Sequence, residues 1–240
     1  MDTIEITRAV IDSVRLDFPT ERQIAALASA WDDDANHQVS FLDSANFRAA
    51  GRLGEYASMI ASADLALPSS TTLLKYAAAK TAASRPVKGK IGENGLRRRS
   101  FVIGERRREY LSSFEALEEN AGLTAAYTPL KTLAYFLSAL ELRRGTVFLV
   151  GGSHHVLQNA ELHMRSTFPE LRVVGRAAGD YSEDDEMNIM KALQKSTPDM
   201  IVVGSLVRDG ELWIPRHMSY MKSGIFLYDR SIIEILAGKR

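Results

Sequence analysis

The sequence contains no cysteine, which excludes disulfide bonds, thiol catalysis, thiolate zinc sites and iron–sulfur clusters. It also has no excess charge of either sign, with 30 basic and 30 acidic residues. A protein that coats nucleic acid along its whole surface is therefore not expected, and we predict no nucleic-acid partner.

The acidic N-terminus does not resemble a signal peptide. No apolar run approaches the roughly 18 residues of a membrane-spanning helix. We expect a cytoplasmic protein, with peripheral contact at the inner face of the membrane left open.

What the chain does contain is an ordinary globular composition, 45% hydrophobic and 25% charged, which predicts one domain over residues 1–240. Its basic residues are unevenly placed. The segment 85–108 has nine basic and two acidic residues, a net charge of +7, so the remainder carries −7. Its Pro, Gly and Asn residues are typical of a loop. One interpretation is a solvated surface loop; the other is a patch for anionic lipid, phosphate or an acidic protein partner. The second would be formed by Arg97, Arg98, Arg99, Arg106, Arg107 and Arg108.

Short apolar runs alternate with stretches of helical periodicity along most of the chain. The predicted strands are residues 39–42, 65–67, 147–150, 171–174, 200–203 and 225–227. The predicted helices are residues 44–62, 71–81, 130–142, 156–168, 184–195, 213–221 and 231–236. This alternation predicts an α/β fold, a Rossmann-like, doubly wound and mostly parallel sheet with helices on both faces. Ligands of such sheets bind beyond the carboxyl ends of the strands, so we expect the site in the loops that follow them.

The segment VFLVGGS, residues 147–153, contains a strand, two glycines and the start of a helix. Glycines allow close approach of a ligand, and a helix N-terminus offers free N–H groups to a phosphate. A tight turn without a ligand fits the same residues. The acidic run Asp32–Asp34 and the residues His154, His155 and His163 do not have the spacing of a metal site. We predict no metal and no cofactor.

From residue 147 onward the order of segments resembles the WecG/TagA/CpsF family of bacterial glycosyltransferases. The segments that carry this resemblance are VFLVGG, FPELRVVG, GDY at 179–181, TPDMIVVG at 197–204, ELWI at 211–214 and GIFLYDRSIIEILAG at 224–238. In the first half, VSFLDSANF and ADLALP resemble the strands of the family that end in t-x-N and P-D-G. The stretch from about 82 to 122 has no counterpart and is interpreted as a basic insertion.

The resemblance implies transfer of an N-acetylmannosamine-type sugar from a UDP-sugar to a polyprenyl-diphosphate-linked acceptor, without an obligatory metal. The aspartate of the family's P-D-G motif is the proposed base. Here Ser69 and Ser70 follow Pro68, so that aspartate is missing. In the family's P-k-Q-E segment only Glu211 is kept, and we expect the arginine-rich C-terminal appendage to be missing as well.

Two functions remain open on this basis. One is a divergent glycosyltransferase in which Asp43, Asp209 or Glu211 has taken over proton transfer; Asp43 is the first catalytic candidate, although it also suits a helix N-cap. The other is an inactive relative that binds a sugar nucleotide or another protein. The predicted substrate-binding residues are Gly151, Gly152 and Ser153 near the nucleotide phosphates, with Gly179, Tyr181 and Glu211 from matching motif positions. Self-association into a homo-oligomer is also open.

Overall fold

The computed structural model describes residues 4, 6–52, 54–84 and 129–238. Its eight strands are β1 (Thr7–Ile11), β2 (Val14–Phe18), β3 (Asn36–Leu42), β4 (Leu65–Pro68), β5 (Thr146–Val150), β6 (Arg172–Ala177), β7 (Met200–Val203) and β8 (Gly224–Tyr228). Six of them form one sheet in the order β4-β3-β8-β7-β5-β6, and every neighbouring pair in that sheet is parallel. This sheet confirms the predicted α/β class.

Helices cover both faces of the sheet. They are α1 (Glu21–Ala30), α2 (Ser44–Ala50), α3 (Gly54–Ser62), α4 (Thr71–Ser84), α5 (Pro129–Leu142), α6 (His154–Thr167), α7 (Glu183–Ser196), α8 (Trp213–His217) and α9 (Ile232–Leu236). One face packs under α1, α5, α6 and α9, and the other under α2, α3, α4, α7 and α8. Every residue of β5 and β7 is buried. Burial on both faces explains why these strands are uninterrupted apolar runs in the sequence.

The register between the two central strands β5 and β7 is held at their amino ends by one carboxylate. Asp199 Oδ2 accepts hydrogen bonds from the backbone N–H of Thr146 at 2.7 Å and from its hydroxyl at 2.6 Å. The backbone N–H of Asp199 in turn donates to Thr146 Oγ1 at 3.0 Å. Because a parallel register carries through to the far end of both strands, this pair also determines which loop residues meet at the carboxyl edge.

The direction in which successive strands are added along the sheet reverses at two places. From β5 the chain runs to the edge strand β6, whereas from β7 it runs the other way to β8. From β3 it runs to the opposite edge strand β4, whereas β8 leads into α9, which packs beside α6 and β7. Loops diverge at such points and leave a crevice beyond the strand ends. The two crevices are therefore the places where the fold offers a site.

The helix predicted for residues 44–62 is two helices, because α2 ends at Ala50 and α3 begins at Gly54. Gly51 ends α2, with its N–H on Phe47 O at 3.2 Å. Similarly, the predicted helix 213–221 is the short α8 followed by a 3₁₀ turn, Met218–Tyr220. The sequence-based prediction did not include the hairpin β1–β2 or the helix α1.

The predicted contact residues of the basic segment, Arg97 to Arg99 and Arg106 to Arg108, lie outside the described residues. In the described part of the chain, no helix combines the length and apolarity needed to cross a membrane.

The hairpin β1–β2 covers the edge strand β4. Asp17 on β2 is fully buried, and its Oδ2 accepts the backbone N–H of Ala66 on β4 at 2.8 Å. The Arg15 guanidinium donates to the same oxygen at 2.9 Å, to Asp64 O at 3.1 Å and to Ala63 O. The hairpin is thus attached to the sheet through the buried Asp17 carboxylate and the partly buried Arg15 guanidinium rather than through ladder hydrogen bonds.

A second cluster lies at the amino end of β3. His37 stacks on Trp31 with ring centroids 4.4 Å apart, and its two ring nitrogens face Asp33 Oδ1 at 2.8 Å and Asp64 Oδ1 at 3.3 Å. Burial lowers the pKa of His37, but hydrogen bonds to Asp64 and Asp33 outweigh that effect and leave it above its ordinary value. In the same acidic run Asp32 pairs with Arg143 and Asp34 with Lys222. The three aspartates of the run Asp32–Asp34 therefore form local ion pairs.

We expect Asp17→Asn to lower the free energy of unfolding by about 3 kcal/mol, because it removes the fully buried carboxylate that pairs with the partly buried Arg15 and with Arg8. Urea denaturation measures this. Asp34→Asn removes an exposed carboxylate paired with Lys222 and is the matched control, expected to change stability by less than about 1 kcal/mol. Equal effects of the two substitutions would contradict the role given to Asp17.

We expect His37 to make stability depend on pH. Since its pKa is raised in the folded state, its contribution is complete below its unfolded pKa of about 6.5 and is lost as pH rises through the folded value. The difference in unfolding free energy between wild type and His37→Gln should therefore shrink from about pH 6 toward pH 9. A difference that stays constant over this range would show that the two carboxylates do not hold the imidazolium.

Candidate functional site

Three loops meet closely at the carboxyl ends of β5, β6 and β7. Gly151 N–H donates to Ala177 O at 2.9 Å, Gly152 N–H to Ser205 O at 2.8 Å, and Gly179 N–H to Gly152 O at 2.9 Å. All three glycines are buried. A Cβ on Gly151 would lie 2.8 Å from Ser205 O, and one on Gly179 would lie 2.5 Å from the same oxygen. These glycines therefore allow backbone to pack against backbone, and the N–H groups of Gly151 and Gly152 are already used.

Ser153 differs from the two glycines before it. It is exposed and is the N-cap residue of α6, a 14-residue helix, but its side chain makes no capping hydrogen bond. His154 and His155, in the first turn of α6, are also exposed. The groups of this turn that could bind a phosphate are therefore the backbone N–H groups at the N-terminus of α6, directly after Ser153.

Tyr181 lies in a half-buried network that continues into α8. Its hydroxyl accepts a hydrogen bond from Trp213 Nε1 at 2.7 Å and lies 3.4 Å from Glu186 Oε1. The same oxygen of Glu186 is 3.0 Å from His217 Nε2. Burial raises the pKa of Tyr181 to about 12, so the side chain is a neutral phenol at any physiological pH and serves as a hydrogen-bonding group.

A cluster of polar side chains around Glu211, called the Glu211 cluster below, forms at the other crevice, between the carboxyl ends of β3 and β8. Glu211, in the 3₁₀ turn Gly210–Leu212, is half-buried there. Its Oε1 accepts a hydrogen bond from Asn46 Nδ2 of α2 at 2.7 Å, and its Oε2 accepts one from the Tyr56 hydroxyl of α3. The two side chains that hold this carboxylate, Tyr56 and Asn46, precede Glu211 by 155 and 165 positions in the sequence.

The pKa of Glu211 is raised, first by burial and then by the negative charges of Asp43 and Asp229, although hydrogen bonds from Tyr56 and Asn46 act in the opposite direction. Burial and the Glu211 charge likewise raise the pKa of Tyr56, and burial raises that of Tyr228 to about 12. A carboxylate with a raised pKa in a crevice is a stronger base than an exposed one, which is the property that proton transfer requires.

Asp43 caps α2 and lies near Glu211. Its Oδ1 accepts the backbone N–H groups of Ala45 at 2.7 Å and Asn46 at 2.8 Å. This cap fixes the first turn of α2, from which the Asn46 side chain reaches Glu211. The remaining carboxylate candidate, Asp209, is paired with Arg216, which also binds Glu55 at 2.8 Å. Asp209 is thereby engaged in a surface ion pair.

The predicted site residues fall into two groups. Gly151, Gly152, Ser153 and Gly179 come together at one crevice, whereas Asp43 and Glu211 come together at the other. Tyr181 lies outside both groups, in the network with Trp213 and Glu186. The assignment of all these residues to substrate stays a prediction. Sequence reasoning missed Asn46, Tyr56, Tyr228 and Asp229. Only Asp229 carried a usable signal, since it directly follows β8. Within the described ranges, no three His, Asp or Glu side chains are grouped as a metal ion would require.

We expect Gly151→Ala to destabilise the protein by about 2 kcal/mol or more, because Gly151 has a φ of +113° and an added Cβ would press on the backbone of Gly204 and Ser205. Thermal unfolding measures the effect. Gly54→Ala is the matched control, since nothing lies within 4 Å of its Cβ position at the start of α3. If both substitutions were neutral, the loops would not be packed as described.

The family model described as the glycosyl transferase WecG/TagA/CpsF family matches residues 120–240. The described part of this match contains α5 to α9 and the strands β5 to β8, and thus includes Gly151, Tyr181 and Glu211. Asp43, Asn46 and Tyr56 precede it and complete the Glu211 cluster from the first half of the chain. No curated protein matches the chain. The family match covers half of the sequence and agrees with the parallel sheet and its carboxyl-edge crevices, so the chain belongs to the WecG/TagA/CpsF family of glycosyltransferases.

Proposed function

We propose that the protein transfers an N-acetylmannosamine-type sugar from a UDP-sugar to a polyprenyl-diphosphate-linked acceptor, with Glu211 as the proton acceptor. The observation that carries this proposal is the half-buried Glu211 carboxylate in the crevice between β3 and β8, with a raised pKa and fixed by two hydrogen bonds. Family membership supports an enzyme of this type over an inactive binding module.

In this proposal the diphosphate of the donor lies at the N-terminus of α6. The supporting features are the exposed Ser153, which leaves the cap position without a side-chain bond, and the first turn of a long helix directed at the crevice. Backbone N–H groups and the helix dipole stabilise a negative charge there. Gly151, Gly152 and Gly179 support that position by letting the three loops pack.

In the reaction the acceptor hydroxyl oxygen attacks the anomeric carbon, the bond from that carbon to the UDP oxygen breaks, and the hydroxyl proton passes to a carboxylate. Glu211 suits this step because each of its oxygens accepts one hydrogen bond, from Asn46 or Tyr56, and so keeps a second lone pair. Asp43, the alternative proton acceptor, has its Oδ1 engaged by two backbone N–H groups. The basic segment 85–108 is proposed to contact the membrane surface or an acidic partner.

The test combines donor binding with turnover. We expect calorimetry to show saturable binding of UDP and UDP-N-acetylmannosamine, and release of UDP when a prenyl-diphosphate-linked N-acetylglucosamine acceptor is added. Glu211→Gln should leave UDP binding unchanged but lower turnover by about 10²-fold or more, because an amide cannot accept the proton. In the wild type the rate should rise with pH through the pKa of Glu211, since only the deprotonated carboxylate acts as a base.

Two further variants make the result specific. Asp43→Asn keeps a good helix cap and should cost less than about tenfold in turnover. Glu170→Gln changes an exposed glutamate paired with Arg144 and should have no effect. Complete loss in Asp43→Asn with activity retained in Glu211→Gln would move the base to Asp43. Absence of binding to any uridine nucleotide would refute the donor assignment and favour the binding-module function.

A further inference from the structure

A groove of about 390 Å³ lies on the face of the sheet that carries α2 and α4, beneath the turn of the hairpin β1–β2. Its apolar floor is formed by Val14, Phe47 and Leu73, which are 4%, 5% and 2% exposed, and by one edge of Tyr76, whose ring meets Phe47 edge-on at 5.9 Å. The volume is in the range of about 300–1,000 Å³ that holds small-molecule ligands.

Two arginines lie along the rim of this groove. Arg48 on α2 and Arg52 just after it are both exposed and line the groove. No ion pair to either is found among the residues that the structure describes, in contrast to Arg15 and Arg216, which each bind carboxylates. A groove with an apolar floor and two unpaired cations at its rim is complementary to an anion that carries an apolar chain.

One carboxylate also lines the groove, and its charge is compensated. Asp12 accepts a hydrogen bond from the Tyr76 hydroxyl and pairs with Lys80 Nζ at 3.0 Å. The charge left over at the groove is therefore that of Arg48 and Arg52, and the repulsion that Asp12 would exert on an anion is reduced.

The groove and the Glu211 cluster lie on two sides of the same helical turn. Ser44, the first residue of α2, lines the groove, and its hydroxyl is 3.5 Å from that of Ser70, which directly precedes α4. Two residues later, Asn46 donates to Glu211. The Ser44 end of the groove and the Glu211 cluster are therefore separated only by the first turn of α2.

We propose that this groove binds an amphiphilic phosphate ester, with its phosphate on Arg48 and Arg52 and the first part of its apolar chain over Val14, Phe47 and Leu73. The choice of occupant rests on the proposed function, in which this ligand is the lipid end of the acceptor. The binding itself needs no sugar nucleotide. Its test is therefore separate from that of the donor site.

The probe is farnesyl diphosphate, titrated below its micellar concentration into the full chain and followed by calorimetry. We expect Arg48→Gln and Arg52→Gln each to weaken binding about fivefold or more, and the double variant to weaken it further, with a loss that is larger at low salt. Thr72→Trp, which places a bulky side chain at the groove wall, should abolish binding without removing a charge. Arg22→Gln, an exposed arginine of α1 on the opposite face, is the matched control and should bind like the wild type.

Pyrophosphate and farnesol separate the two parts of the ligand, and both should bind at least about tenfold more weakly than farnesyl diphosphate if charge and chain act together. Unchanged affinity in the double arginine variant, or an equal loss in Arg22→Gln, would overturn the proposal. Arginine-dependent binding to phosphatidylglycerol vesicles without binding of the monomeric probe would also overturn it, in favour of a membrane headgroup contact. If UDP failed to bind while farnesyl diphosphate bound through the two arginines, the proposed function would fail and the groove assignment would stand.

Discussion

The register of the two central parallel strands is the constraint on which the rest of the structure depends. The Asp199 carboxylate, bonded to both the backbone and the hydroxyl of Thr146, aligns β7 with β5 at their amino ends. At the opposite ends the same alignment brings Gly204 N–H onto Val150 O at 2.8 Å and the β7 loop onto Gly151. A shift of one residue would exchange the buried faces of β7 and separate these loops. The geometry of the candidate site is thus set at the far edge of the sheet.

All six strands of the sheet were predicted. The strands β5 and β7 were predictable because burial on both faces leaves an uninterrupted hydrophobic run, whereas the edge strand β6 has no buried residue and was found from its short Val-Val segment. The hairpin β1–β2 was not predicted, because its strands contain charged residues such as Arg15 and Asp17, which are accommodated only by contacts with residues 63–66 far along the chain. Likewise the break between α2 and α3 lies in a stretch whose apolar spacing continues through Gly51. A local sequence pattern predicts a helix or strand well when the burial of that element alone determines its pattern. It predicts the element poorly when contacts with a distant part of the chain determine where the element forms.

The same distinction applies to the candidate site. Glu211 was identified because it belongs to a short motif, whereas its partners Asn46 and Tyr56 lie more than 150 positions earlier and have no motif of their own. The glycines of the β5 loop suited either close approach of a ligand or a tight turn, and in the structure the backbone of residues 204–205 lies beside Gly151 and the Ile233 side chain beside Gly152. Glycine in a strand–helix turn thus indicates close approach, but the sequence alone does not say whether a ligand or another loop approaches.

The buried contact between Asp17 and the Ala66 N–H has a consequence for solubility. An uncovered edge strand is a template onto which another chain can add, and proteins that expose one tend to aggregate. Here the hairpin covers β4 and a carboxylate occupies one of its N–H groups. If the hairpin detached, the apolar segment Leu65–Pro68 would become accessible to strand addition. Damage to this small antiparallel element would then be seen as precipitation of the protein before any change at the carboxyl edge became measurable.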